Sequence, residues 1–193
     1  KATIKAAVAD SKDGTVIRVT AGTYVEDNPI KLPPQVSVVG DSLREVTVTP
    51  RNDADLFYVG TGNYITGMSY IKEGNTYPLA IAAFDPEDKQ YINQSTYVQN
   101  CTNFIPNSIG LRINGNHALG PLKSMVLDSF TQYNANGIGI SITNEGYAQL
   151  VSLFTICSDT SVYCDTGGAC DLTNSNSSFG NKALVANGVG PLK

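Results

Sequence analysis

The 193-residue chain has no tryptophan, one histidine and four arginines, Arg18, Arg44, Arg51 and Arg112. Each scarcity excludes something. His117, in Asn114-Gly115-Asn116-His117, has no serine, cysteine or carboxylate spaced to act with it, so it reads as a loop residue and not as a catalytic base. Charged residues make up 16 % of the chain, below the ~25 % of an average domain. The net charge is −4, which argues against a nucleic-acid partner, because binding that backbone takes clustered Lys and Arg. No apolar run approaches the ~20 residues of a membrane span, so no membrane insertion is expected. Four cysteines occur at Cys101, Cys157, Cys164 and Cys170 with no C-x2-C pair, so neither a zinc motif nor another metal or cofactor is expected.

What is present is turn chemistry and repetition. Glycine occurs 18 times and tyrosine 10 times, beside abundant Asn, Ser and Thr, which suits a turn-rich β protein. Tyr97–Asn114, YVQNCTNFIPNSIGLRIN, is echoed by Ser124–Thr143, SMVLDSFTQYNANGIGISIT. Val98-x-Asn100-Cys101 returns 28 positions later as Val126-x-Asp128-Ser129, and Ile109–Asn114 returns 29 positions later as Ile138–Thr143. A period of this size carrying alternating short apolar runs predicts a solenoid of stacked β coils. The expected inward positions are Val98, Val126, Ile109, Ile138, Leu111, Ile140, Ile113 and Ile142, with Val98 stacked on Val126.

The remainder fits one domain over residues 1–193. Residues 1–13 predict a short capping helix with Thr3 as N-cap. Val16–Ala21 and the two segments split by Pro33-Pro34 predict short strands, since proline interrupts a ladder. Lys72–Gln94 is long and carries Pro78, Pro86, Glu73, Asp85, Glu87 and Asp88. It reads as an excursion from the coil axis, with Leu79–Phe84 as a strand inside it. Leu184–Gly188 echoes the strands of Leu111 and Ile140, and Gly190–Lys193 repeats Gly120–Lys123. The absent initiator Met and the unfinished last coil predict a piece of a longer chain, with an end or flank covered by a partner.

The helix followed by GTVIRVTAGTYVEDNPIKLPPQVSVVGD resembles the opening of pectin-lyase-like right-handed parallel β-helices. The turn Gly22–Glu26 is similar to one in pectin methylesterases. Gly14–Leu56 and Tyr97–Phe179 resemble virion structural proteins of contractile-tailed marine cyanophages. The run VLDSFTQYNANGIGISITNEGYAQLVSLFTICSDTSVYCDTGGACDLTNSNSSFG carries most of that likeness. The resemblance implies an all-β, right-handed parallel β-helix that works as a particle component: a tail, fibre or baseplate appendage assembled in the host cytoplasm beside other virion proteins. A homotrimer is the expected symmetric assembly.

No set of residues matches the catalytic signatures of carbohydrate-active enzymes on that fold, so no catalytic residue is assigned and no enzyme is expected. Two other readings remain: a host-glycan receptor module, and a depolymerase whose carboxylates meet only between coils or subunits. Glycan contact would fall on the 72–94 segment at Tyr77, Asp85, Glu87 and Tyr91. Asp53 and Asp55 form the tightest acidic pair and read as solvated strand-edge residues. Cys157, Cys164 and Cys170 form a thiol cluster in which two could join as a disulfide.

Overall fold

The computed structural model describes residues 2–188. Gly190–Lys193, the second copy of Gly120–Lys123, lies outside the described residues. The chain is an all-β solenoid of parallel strands with one short helix.

Two long sheets run along it. In the second sheet Phe57, Ala82, Leu111, Ile140, Val162 and Leu184 stack one above another, each from the next coil. In the first sheet the column is Ile17, Val38, Ile65, Val98, Leu127, Leu150 and Leu172. These columns face each other and, up to Leu150 and Val162, fill the interior, which continues through Val48, Tyr70, Met68 and Phe130; Leu172 and Leu184 are exposed. A coil alone buries none of this surface; stacking does, at a spacing of ~4.8 Å.

The bends are set by local chemistry. Gly67, Asn100, Ser129, Ser152 and Asn174 all have positive φ and occupy one bend of successive coils. Asn107, Asn136, Cys157 and Phe179 share a second, and Asn144, Thr166 and Gly188 mark a third. Asn tolerates the left-handed region because its short amide bonds the local backbone. Asn134, two residues before the left-handed Asn136, ties this bend to the coils on either side: its Nδ2 donates to the carbonyls of Ser108 and Ile138 at 2.9 and 3.0 Å, and its Oδ1 accepts from Ser158 Oγ at 2.5 Å.

One end is closed by a helix. Ile4–Ala9 starts at Thr3, whose Oγ1 accepts from Ala6 N at 3.1 Å, and it buries Ile4 and Val8 on the first coil. The buried Glu26 carboxylate accepts from Ile4 N at 2.6 Å and Lys5 N at 3.0 Å. Among the described residues no helix is long and apolar enough to cross a membrane.

Two expectations are corrected. Val98 and Val126 lie in adjacent coils but are not stacked: Val98 pairs with Leu127, and Val126 with Tyr97. The true register is 29 residues throughout this coil, so Asn100 aligns with Ser129 and Asp128 sits on Gln99. A one-residue slip exchanges the two faces of a strand, which is why Val126 faces outward, only half-buried. Leu111, Ile113, Ile140, Ile142 and Val98 are inward as expected, while Ile109 and Ile138 join Ala80, Ala83 and Tyr58 in a small separate cluster. Second, residues 72–94 do not leave the coil. Ala80–Phe84 is a fully buried strand in the middle of the second sheet, and Gln90–Tyr91 pairs with Ala118–Leu119 on a third side. The extra length sits in corner loops, where the coil between Ile65 and Val98 is widest.

Candidate functional site

Charge converges at one place, the outer face of the second sheet near Ala83. Lys31, Tyr58, Ala83, Arg112, Ser141 and Tyr163 form one outward row along consecutive coils. Ala83 is the small member, and the gap above it lets Arg112 reach across two coils. Arg112 Nη1 donates to both oxygens of Asp55 at 2.8 and 2.7 Å, and Nη2 donates to the Pro78 carbonyl. Ala80 N also donates to Asp55 Oδ1 at 2.7 Å. Asp55 is 6 % exposed and Arg112 29 %. Beside this pair, Lys31 Nζ lies 2.7 Å from the buried Asp85, whose Oδ1 accepts from Glu87 N at 2.9 Å. His117 closes the group, with Nε2 3.3 Å from Asn114 Nδ2.

The electrostatics follow from burial and pairing. Burial pushes the Asp55 carboxyl above its usual range despite Arg112. Burial also pushes Asp85 up, but Lys31 and the amides of Glu87 and Asp88 outweigh it and hold the group below the ordinary carboxylate value. Tyr58 is raised by burial and by both carboxylates. His117 is lowered by burial and by the nearby Lys89 and Arg112. Each carboxylate therefore already has a cation and a backbone donor. A general acid or base needs a proton site facing a substrate, and this face offers salt bridges that tie coils together instead.

Of the glycan-contact candidates, Asp85 and Glu87 are joined through the Glu87 amide, and Asp85 and Tyr77 both lie near Tyr58. Asp85 is buried against Lys31, Tyr77 is exposed near Tyr58, Glu87 is exposed on its loop, and Tyr91 stands on the third side, in the strand paired with Ala118–Leu119. Asp55 is a correction: it is no solvated edge residue but the buried centre of the cluster. In the sequence Arg112 and Lys31 have no assigned role, and His117 reads as a loop residue. The available signal was the alanine at position 83, which opens a two-coil reach that comparison of neighbouring coils does not reveal.

All four cysteines are free. Cys101 is buried, 3.7 Å from Tyr70 Oη, and burial pushes its thiol up to about 11. Cys157 sits apart at a left-handed bend with φ 60°. Cys164 and Cys170 are both partly buried thiols packed against the core, and each shifts the other's titration. The Cys164 thiol lowers Cys170 to about 7, while Cys170 and burial raise Cys164. The thiolate is the nucleophile, so reactivity rises with pH through the thiol's own pKa. Peptide mass spectrometry after brief iodoacetamide treatment at pH 7.5 is expected to find Cys170 alkylated first and native Cys101 untouched. Among the described residues no three His, Cys, Asp or Glu side chains are grouped to hold a metal.

Comparison with family models, curated proteins and solved structures finds no match to this chain.

Proposed function

We propose that the chain is a structural module of a phage particle, a rigid shaft or spike segment of a tail, fibre or baseplate appendage. The observation that carries this reading is the pairing of the charged face: Asp55 with Arg112 and Asp85 with Lys31. These groups bind coil to coil and leave no free acid–base couple. The resemblance of residues 97–179 to cyanophage virion proteins supplies the particle. We further propose a right-handed winding. Its support is the strong preference of parallel crossover connections for that hand, which follows from strand twist. A stacked β core of this kind suits a shaft, because each inner coil is hydrogen-bonded to the coil on either side.

Gold-labelled antibody against the chain is expected to decorate one appendage of intact virions, and mass spectrometry of purified particles to recover its peptides. Particles lacking both signals would overturn the assignment. Incubation with cyanobacterial surface polysaccharide is expected to release no oligosaccharide. Release abolished by Asp55→Asn or Asp85→Asn would replace the structural reading with that of a depolymerase.

A further inference from the structure

The outer face of the first sheet carries a second ordered feature, and it is apolar. Val25 pairs with Thr49. Ile71, Phe104 and Tyr133 continue the row in the next three coils, each donating its amide to the residue before its predecessor in the coil below: Val48, Tyr70 and Asn103, at 3.0, 2.8 and 2.8 Å. Ile156 follows, one residue after the Gln132–Thr155 pair. Val25, Ile71, Phe104 and Tyr133 are all exposed, Phe104 by 44 % and Tyr133 by 46 %, and their two rings lie 6.2 Å apart. The next row is Thr23, Thr47, Ser69, Thr102, Thr131 and Phe154, of which Ser69 and Thr102 are buried, Ser69 Oγ donating to the Leu43 carbonyl at 2.6 Å. Neither row contains a charge, in a chain with a net charge of −4.

A straight apolar stripe is unusual on a monomer, where exposed hydrophobics are scattered. We propose that this stripe, from Val25 to Ile156, is where a second copy of the chain packs side by side, stripe against stripe. The proposal rests on the particle-module reading and names that module's partner. Two observations favour a copy over other occupants. Apart from Thr49, which holds the place between Val25 and Ile71, the row carries one apolar residue per coil at the strand spacing of ~4.8 Å, and an identical solenoid carries the same period, so rungs on both sides can interdigitate. The rows themselves hold no charge, and the charges beside them are of both signs, Arg44 by Ile71 and Phe104 and Lys5, Asp27 and Arg51 by Val25, so the interdigitating residues of two copies meet without like charges opposing. A linear glycan would use the Phe104 and Tyr133 rings but has no use for Val25, Ile71 and Ile156.

The test is sedimentation equilibrium of the chain from 1 to 100 µM. Self-association is expected in that range, with Phe104→Glu weakening it at least tenfold and Tyr133→Ser weakening it less. Val16→Glu, an exposed apolar residue on a strand away from the stripe, should associate like the parent. Circular dichroism and thermal melting report whether each variant is folded; Tyr133→Ser, a neutral change at an exposed site, keeps the test valid if Phe104→Glu does not fold. A folded chain that stays monomeric at 100 µM overturns the proposal, whether or not polysaccharide binds the stripe. So does association that neither stripe variant alters. Virion labelling is scored separately: a monomeric chain found in virions would sink the self-packing surface and leave the module assignment standing.

Discussion

Arg112→Ala is expected to lower folding stability by about 3–5 kcal/mol, the cost of removing one partner from a buried ion pair. The loss comes less from the attraction removed than from the charge left behind. Asp55 would keep only the Ala80 amide as a donor while remaining 6 % exposed. Removing both partners should cost less than the two single losses combined, since no uncompensated charge then remains. Chemical denaturation of Arg112→Ala, Asp55→Ala and the double variant measures this coupling. The pH dependence gives a second check. The Asp55 pKa is already raised in the folded chain, and loss of Arg112 raises it further. A carboxyl raised on folding binds its proton more tightly in the native state. It therefore adds stability when protonated, and that contribution is lost as pH climbs through the folded pKa. Arg112→Ala should accordingly recover part of its loss on acidification from pH 7 towards pH 5. Asp85 works in the opposite direction. Its pKa is lowered, so the stability it contributes is present above the ordinary carboxylate value and fades as pH falls below it. Additive single and double losses with no recovery in acid would mean that Asp55 and Arg112 are not coupled.

The difference between what could be read in the sequence and what could not has a physical cause. Ile109 with Ile138 and Leu111 with Ile140 were legible because those strands are aligned residue for residue. Val98 and Val126 misled because side-chain type was matched where the bend sets the register. Aligning the left-handed Asn100 and Ser129 gives the true pairing, and a residue's tolerance for positive φ is a weaker written signal than a repeated valine. The 72–94 segment misled differently. Two prolines and a run of acids looked like departure from the axis, yet Leu79–Phe84 carries enough apolar surface to occupy the sheet, and the coil expands only at its corners. The charged cluster was least legible of all. Asp55 and Arg112 stand 57 residues apart, and their contact skips a coil. Nothing in a comparison of adjacent repeats points to it except the small side chain of Ala83 between them.

Glu26→Ala is expected to release the capping helix. Glu26 is fully buried and accepts from both Ile4 N and Lys5 N, two of the amides that a helix leaves unsatisfied in its first turn. Each donor stranded by the truncation costs about 1–3 kcal/mol, giving a loss of roughly 2–6 kcal/mol if the helix stays docked. It has a cheaper alternative. Ile4–Ala9 is six residues long, well short of the ~12–15 residues at which a helix in water begins to hold by itself. Detached, it unwinds and returns its amides to solvent, while Ile17, Val19 and Ile30 of the first coil lose their cover. The end of the sheet then presents open strand edges, the surface that solenoid caps exist to hide. Glu26→Gln keeps one acceptor oxygen and should fall between the parent and Glu26→Ala. Limited trypsin digestion reads the outcome directly, because Lys5 lies in the helix and Lys12 just beyond it. Faster cleavage at both, with faster amide exchange in Val16–Val19 and unchanged exchange near Ile140, is the expected pattern. Unchanged cleavage together with parental stability would mean that Thr3 and the packing of Ile4 and Val8 hold the cap without Glu26.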